Sequence, residues 1–426
     1  MSRNETALKK APVEEQIKLP MPVRNPIVIS VFAALLVAMA IGAKGNSIFS
    51  FEGATSWFSI PNVSLPASIT LWVLTVLTIA LAVWAWIQAN ARKSPPAWML
   101  GVSGFAFVFG FLVWTVADKP SSVMPTVSLL IGGLTLAVPL IFGALSGVVC
   151  ERSGVINIAI EGQLLFGAFM GAVVASATSS PYVGLIGSLV GGALVGVLLA
   201  LFTVHFRADH IVVGVVLNML VLGLTSFLYS TVLTHSAEYN RAVPLKPIGI
   251  PILKDIPIIG PIMFNQSILV YLVYVAVIGL QFALFRTRWG LRTRACGEHP
   301  KAADTVGVKV NRLRWINVIA ASALAGLGGA FFTLGQNLAF SKEMTAGNGF
   351  IALAAMIIGR WNPKGALAAA LLFGFATNLA SVMQSVGSPL PAEYMLMLPY
   401  VVTILAVAGF VGSVRAPAAE GKPYPA

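Results

Sequence analysis

Charged side chains are scarce in this sequence. Asp, Glu, Lys and Arg make up 10% of its 426 residues and 57% are hydrophobic, whereas a soluble domain carries roughly 25% charged residues. That balance excludes an ordinary water-soluble globular fold. Strict apolar–polar alternation is also missing, which argues against a membrane β-barrel. The two cysteines, Cys150 and Cys296, are too few and too far apart for a disulfide framework or a zinc site. Four histidines (His205, His210, His235 and His299) have no spacing that suits a metal or a catalytic triad. No G-x-x-x-x-G-K-[ST] phosphate loop occurs, so this chain carries no Walker-type site for ATP. An enzyme or a cofactor-binding chain is therefore not expected.

What is present in abundance is continuous apolar sequence. Runs near 27–43, 68–91, 97–117, 127–149, 155–176, 182–204, 211–234, 267–285, 313–338, 346–359, 365–382 and 393–411 predict about twelve spans. The fold class expected is all-α, a polytopic transmembrane helical bundle, because a helix satisfies its own backbone in lipid. The run at 346–359 is short and reads as a broken or re-entrant segment. With twelve crossings and both termini cytoplasmic, 21 of the 27 Lys and Arg residues fall inside and six outside. A missed span would invert every later segment and destroy that asymmetry. The net charge of +12 is thus read as an inner-face bias toward lipid rather than a nucleic-acid surface. The first 26 residues are polar or Pro-broken and suit a retained cytoplasmic tail better than a cleavable signal. Residues 413–426 read as a second cytoplasmic tail.

The connection 235–266 contains five prolines, which excludes a regular helix and predicts extended or turn structure. Its Ile- and Pro-rich half suits the membrane surface or a partner as well as it suits a packed loop. Glycine is plentiful, at 40 residues, and clusters in GSLVGGALVGVLLA (187–200) and ALAGLGGAFFTLG (323–335). Close helix packing in lipid is the plainest reason. NIAIEGQ (157–163) and FIALAAM (350–356) hold corresponding places in two halves, a weak sign of internal repetition.

Two stretches stand out chemically. In ERSGVINIAIEGQLLFGAF (151–169), Ser153-Gly154 is read as opening a helix, with Asn157 and Glu161 four apart on one face. A carboxylate within a span usually faces a cavity, partner or pathway. Asn157, Glu161 and Gln163, with Asn218 and Asn378 from later spans, are therefore candidates to line a translocation path. The plainer alternatives are a headgroup-level or structurally paired Glu161 and amides that tie helices together. Asn317, Gln336 and Asn337 are read the same way. The second stretch is the basic insert 286–312. Pro300 suits the first position of a helix and Gly307 the stop just beyond its end. Between them Ala302 and Ala303 are small enough to permit close contact. A solvated inner loop would explain the charge but not this Pro–Ala-Ala–Gly order.

ERSGVINIAIEGQLLFGAF, and RACGEHPKAADTVGVKVNRLRW followed by ASALAGLGGAFFTL, resemble permease subunits of ATP-binding-cassette importers of the branched-chain amino acid and ribose class. NGFIALAAMIIGRWNPKGALAAALLFG (348–374) and DIPIIGPIMFNQSILVYL (255–272) are similar to its nucleoside-uptake branch. The likeness covers roughly 125–412 and leaves 27–124 as an added N-terminal transmembrane region. It implies that 286–312 couples to a separate cytoplasmic ATPase through Gly297, Glu298, Pro300, Ala302, Ala303 and Gly307. Within the importer pattern E-A-A-x-x-x-G, Lys301 stands where Glu is usual. The other implied partners are a second permease subunit, or a copy of this one, and an extracytoplasmic substrate-binding lipoprotein. ATP would be consumed by the partner. The expected location is the cell membrane, and nucleosides are the expected solute. A sugar permease or a stand-alone secondary transporter remains the alternative, although the scarcity of intramembrane carboxylates and the large basic insert count against the latter.

Overall fold

A computed structural model describes residues 21–52, 57–58, 60–119, 123–387, 391, 393–394, 397 and 415–425. The expected span at 393–411 and residues 1–20 of the expected N-terminal tail lie outside the described residues, apart from three isolated positions in the former. Thirteen α-helices are described: α1 (Arg24–Gly42), α2 (Ala67–Asn90), α3 (Ala97–Thr115), α4 (Thr126–Arg152), α5 (Ile160–Thr178), α6 (Pro181–Ala200), α7 (His210–Leu228), α8 (Ile268–Arg286), α9 (Arg288–Glu298), α10 (Pro300–Thr305), α11 (Val310–Ala330), α12 (Asn348–Ile358) and α13 (Pro363–Ser385). Among the described residues, ten of these are long and apolar enough to cross a membrane, the exceptions being α9, α10 and α12.

The expectation of a purely α fold needs correction in the connections. Short strands β1 (Asn46–Ser50), β2 (Val63–Pro66), β3 (Val123–Pro125), β4 (Ile248–Gly249) and β5 (Asn265–Gln266) occur there. Ile48–Ser50 pair in parallel with Val123–Pro125, and Ile248 pairs antiparallel with Gln266. Connections too apolar to be freely hydrated still have to satisfy their backbone groups, and strand pairing does so. The Pro-rich 235–266 segment adds only 3₁₀ turns and one wide turn to β4 and β5, as proline dictates.

The chain forms two compact units, one drawn from Met1–Ser47 and Leu65–Lys119, the other from Ile48–Ser64 and Pro120–Ala426. In the first, Ile29 of α1, Leu81, Ala82 and Ala85 of α2, and Met99 and Leu100 of α3 form a buried cluster. Thr75, Thr78 and Ser103 are buried there and each donates to the carbonyl four residues earlier. Ile69, Val73 and Val76 of α2 point outward, as a lipid-facing side requires.

The second unit is built around α4, buried from Ala137 to Glu151 without interruption. Its interior Pro139 is tolerated because neighbours re-satisfy the backbone. The glycine clusters bring α6 against α11: a Cβ on Gly192 would collide with the Ser322 carbonyl and one on Gly326 with that of Ser188. By contrast α7 and α8 expose apolar faces through Val216, Met219 and Phe227, and through Val275, Ile278 and Phe282.

Tie points define the two ends of this unit. At one end Arg152 Nε donates to the Trp361 carbonyl at 3.0 Å. Gly297 lies directly against the Arg152 carbonyl there. At the other, Asn240 Nδ2 donates to the Phe340 carbonyl (3.0 Å), and the Arg241 N–H donates to Ser176 Oγ (3.0 Å) at the end of α5. The segment from Phe340 to Trp361 therefore runs from one end to the other, although only Asn348–Ile358 of it is α-helical. Ala352 packs on Gly143 and Met356 on Gly147, so α12 runs beside the last turns of α4. Ile160 also packs on Gly143 and Gly147. Helix α5 thus begins roughly 10 Å inside the Arg152 end, at 1.5 Å rise per residue.

Candidate translocation site

The late start of α5 follows from a stop signal at Gly154. With φ of +94°, Gly154 terminates α4: its N–H donates to the Glu151 carbonyl (2.9 Å) and the Val155 N–H to the Cys150 carbonyl (3.1 Å). That is the glycine-dependent Schellman closure of a helix. Gly154 consequently ends one helix rather than opening the next. Asn157 lies in the non-helical return, so it does not share a helical face with Glu161, a correction to the expectation from spacing.

Polar side chains hold this return. His210 Nδ1 accepts from the Ile156 N–H at 3.3 Å. Asn157 and Gln163 exchange two amide bonds, Asn157 Nδ2 to Gln163 Oε1 at 3.0 Å and Gln163 Nε2 to Asn157 Oδ1 at 2.9 Å. Asn157 Nδ2 also donates to Ser146 Oγ of α4 at 3.1 Å. All three residues are completely buried. They form a closed brace between α4 and α5 and lie outside the lining of the cavity beside Glu161.

Glu161 occupies a different place. Its Oε1 accepts from Thr345 Oγ1 (2.7 Å) and the Gly347 N–H (2.8 Å), and its Oε2 accepts from the Gly349 N–H (2.6 Å). Gly347 is the N-cap of α12 and Gly349 its second residue, so a carboxylate from α5 caps α12 where the helix dipole favours negative charge. Asn218 of α7 bridges the same start of α5, accepting from the Gly162 N–H (2.8 Å) and donating to the Ile158 carbonyl (2.9 Å). NIAIEGQ and FIALAAM thus both open helices after non-helical leads, and these two openings meet at Glu161.

An open cavity of about 370 Å³ adjoins this junction, lined among others by Glu161, Asn218, Met219, Glu343, Thr345 and Phe350. Its volume lies in the range of small-molecule sites. The lining joins an apolar wall, which includes the half-exposed Phe350 ring, with hydrogen-bonding capacity that the helix ties leave over: the second Asn218 N–H and the Glu343 carboxylate. Of the sequence candidates, Glu161 and Asn218 come together here. Asn378 does not: its Nδ2 donates to the Leu129 carbonyl (2.7 Å) and ties α13 to α4. Asn317 likewise ties α11 to α9 through Thr293 and Trp289. Sequence reading missed Glu343, Thr345 and Phe350. The signal was the polar, glycine-bearing KEMTAGNG interruption at 342–349, where Glu343, Ala346 and Gly347 all take positive φ.

The basic insert folds into two helices rather than one. Thr287 Oγ1 accepts from the Gly290 N–H and caps α9, and burial holds the Cys296 thiol above its ordinary pKa. Helix α10 starts with Pro300 at its first position. It stops at Gly307 (φ +85°), where the Gly307 N–H meets the Asp304 carbonyl at 2.8 Å and the Val308 N–H meets that of Ala303 at 3.1 Å. This is the same closure as at Gly154. The alanine pair is divided: Ala302 is exposed, whereas Ala303 is buried against Cys296 and Val310. Lys301, Thr305 and Val306 are open along with Ala302.

Residues 129–407 match the family described as Branched-chain amino acid transport system / permease component. The chain is 41% identical to the guanosine ABC transporter permease protein NupQ of Bacillus subtilis (strain 168), over 68% of this chain and 94% of that one. It is 39% identical to the nucleoside ABC transporter permease protein NupC of Lactococcus lactis subsp. cremoris (strain MG1363), over 71% of this chain and 98% of that one. It is 32% identical to the putative glucose ABC transporter permease protein TsgC13 of Haloferax volcanii, over 58% and 75%. No solved structure matches it. A two-thirds match to the family and ten apolar helices agree on a multi-pass cell-membrane transport subunit, and the chain belongs to the branched-chain amino acid transport system permease component family.

Proposed function

We propose that this chain forms the translocation path of an importer for nucleosides, passing solute beside the Glu161–Asn218 junction while a separate ATPase subunit supplies energy. The observation that carries the reading is the open cavity beside the place where two helix openings meet. An unwound backbone is tolerated at membrane depth only where it is buried or lines a cavity. A nucleoside offers hydroxyl and amide groups to Asn218 and Glu343 and a flat ring to Phe350. The nucleoside assignment is supported by what the names of NupQ and NupC state for those proteins.

In this reading 340–361 crosses the membrane with α12 as its helical part, and 393–411 supplies a further crossing. Twelve crossings then leave both termini in the cytoplasm, in keeping with the basic-residue asymmetry. The open side of α10 docks on the ATPase, its six residues bounded by Pro300 and the Schellman stop at Gly307. A second permease subunit (or a second copy of this chain) and an extracytoplasmic binding lipoprotein complete the importer. Membership of the permease family leaves no place for the stand-alone secondary transporter.

The test is uptake by proteoliposomes holding the complete complex. Labelled guanosine should accumulate with ATP, and excess unlabelled nucleoside should block it. Accumulation of glucose, with nucleosides neither carried nor competing, would assign the path to sugars, as the name of TsgC13 states for that relative.

A further inference from the structure

We infer that the C-terminal segment 417–424 is a strap that holds the coupling helix α10 in register with α4 and α11, an inference that rests on the coupling role proposed above. Read as sequence, PAAEGKPY is a free, solvated tail. In the structure it is docked. The Ala419 N–H donates to the Gly297 carbonyl at 2.8 Å, and the Ala418 N–H to Glu298 Oε2 at 3.3 Å. The Gly421 N–H donates to the Gly154 carbonyl at 3.2 Å. Arg314 Nη1 of α11 donates to the Lys422 carbonyl at 2.9 Å, and its Nε to the Ser153 carbonyl at 3.0 Å. Finally Tyr424 Oη donates to Asp304 Oδ2 at 2.9 Å.

These bonds lay the tail across three elements that already touch one another: the turn after α4, the α9–α10 junction and the start of α11. Arg314 is the pin. Only 2% of its surface is exposed, and its two carbonyl acceptors come from the turn and from the tail. Without the tail, a buried guanidinium loses one of them, which is unfavourable for any buried cation.

Helix α10 needs such support. Six residues do not hold a helix unaided, and Ala303 is its only buried residue. Tyr424 packs against the Ala303–Cys296–Val310 cluster from behind. The strap therefore underlies the inward side of α10 and leaves Lys301, Ala302, Thr305 and Val306 open. A segment placed to block docking would cover that open side instead. Supported in this way, α10 transmits a displacement to the ends of α4 and α11, one of which leads to the Glu161 junction.

The experiment is substrate-stimulated ATP hydrolysis and uptake by the complete complex in proteoliposomes, comparing the full chain with one ending at Arg415. Expected are normal basal hydrolysis and a stimulation ratio reduced about fivefold or more, the lower end of common site-to-site coupling, with uptake falling in parallel. Ala419→Pro, which removes the donor to Gly297, and Tyr424→Ala should give smaller losses of the same kind. These two variants decide the matter if the truncated chain does not assemble. Unchanged stimulation in the truncated chain, or in both point variants, overturns the strap. Ala302→Trp, on the open side of α10, separates the two readings. If it abolishes stimulation while tail variants do not, only the strap falls. If Ala302→Trp itself is fully stimulated, the coupling role of α10 is wrong.

Discussion

The carboxylate of Glu161 accepts the peptide N–H of Gly349 at 2.6 Å, joining two helix openings that lie 188 positions apart in sequence. Two further donors, Thr345 Oγ1 and the Gly347 N–H, complete the clamp. Glu161→Gln keeps the shape but turns one acceptor oxygen into an amide donor facing a peptide N–H or hydroxyl. The expected outcome is a loss of about 1.5–3 kcal/mol in stability, the usual worth of a hydrogen bond to a charged group, with uptake reduced as α12 loses its cap. Thermal unfolding of the solubilised complex and nucleoside uptake are measured together. Lost uptake at unchanged stability would instead make Glu161 a direct solute contact.

Gly154 and Gly307 close their helices in the same way, yet their surroundings differ. A Cβ on Gly307 meets nothing within 4 Å, whereas one on Gly154 would run into the Arg314 guanidinium. Gly307→Ala should therefore cost only the left-handed strain, about 1–2 kcal/mol. Gly154→Ala should exceed it by at least about 1 kcal/mol, because a crowded site adds an overpacking term. Gly307→Asn should be nearly neutral, since Asn tolerates this conformation. Equal melting shifts for the two alanine variants would contradict the crowding at Arg314.

The ten long helices are legible in sequence because each is a continuous apolar run, and the Pro300–Gly307 limits of α10 are legible because cap residues act locally. Gly154 carried the same local signal, but the run of small and polar residues around it reads equally well as a stop or a start. The Glu161 clamp could not be read, because nothing in residues 151–169 points to Thr345 or Gly349. Neither could the burial of Ala303, since six residues are too few for a periodicity to show which side faces inward. The docked tail was hidden for another reason. Its bonds are mostly through the backbone, and backbone partners leave no mark on residue type.

Topology can be checked with thiols. Cys150 and Cys296 are both buried and free, and burial raises the Cys296 thiol pKa, which lowers its reactive thiolate at neutral pH. The natural chain should therefore react little with a polar maleimide. Against that low background, Glu238→Cys, exposed in the connection between α7 and α8, should be labelled in intact cells under the proposed topology. Ala302→Cys should be labelled only after the membrane is opened. Labelling of Ala302→Cys in intact cells would reverse the assigned sidedness.

The docked tail should respond to pH through Glu420. Burial holds its carboxyl above the usual carboxylate range, opposed by a hydrogen bond with the carboxyl of Glu151 in α4, which also accepts the Trp361 indole N–H. The sign follows from the direction of the shift. Below the ordinary carboxyl pKa of about 4.3, both docked and undocked tails are protonated and docking is at its strongest. As pH rises toward the raised docked value, the undocked carboxyl is already ionised while the docked one still holds its proton, so docking weakens. Above that value the docked carboxyl ionises beside Glu151 and the contribution is lost. Glu420→Gln should abolish this dependence and hold the tail more tightly near neutral pH. The measurement is hydrogen-exchange protection of 417–424 between about pH 5 and about pH 8, the span of physiological titrations, corrected for the intrinsic pH dependence of exchange. Protection that falls with pH in the natural chain and stays level in Glu420→Gln is the expected result. Equal slopes in both would remove Glu420 as the titrating group.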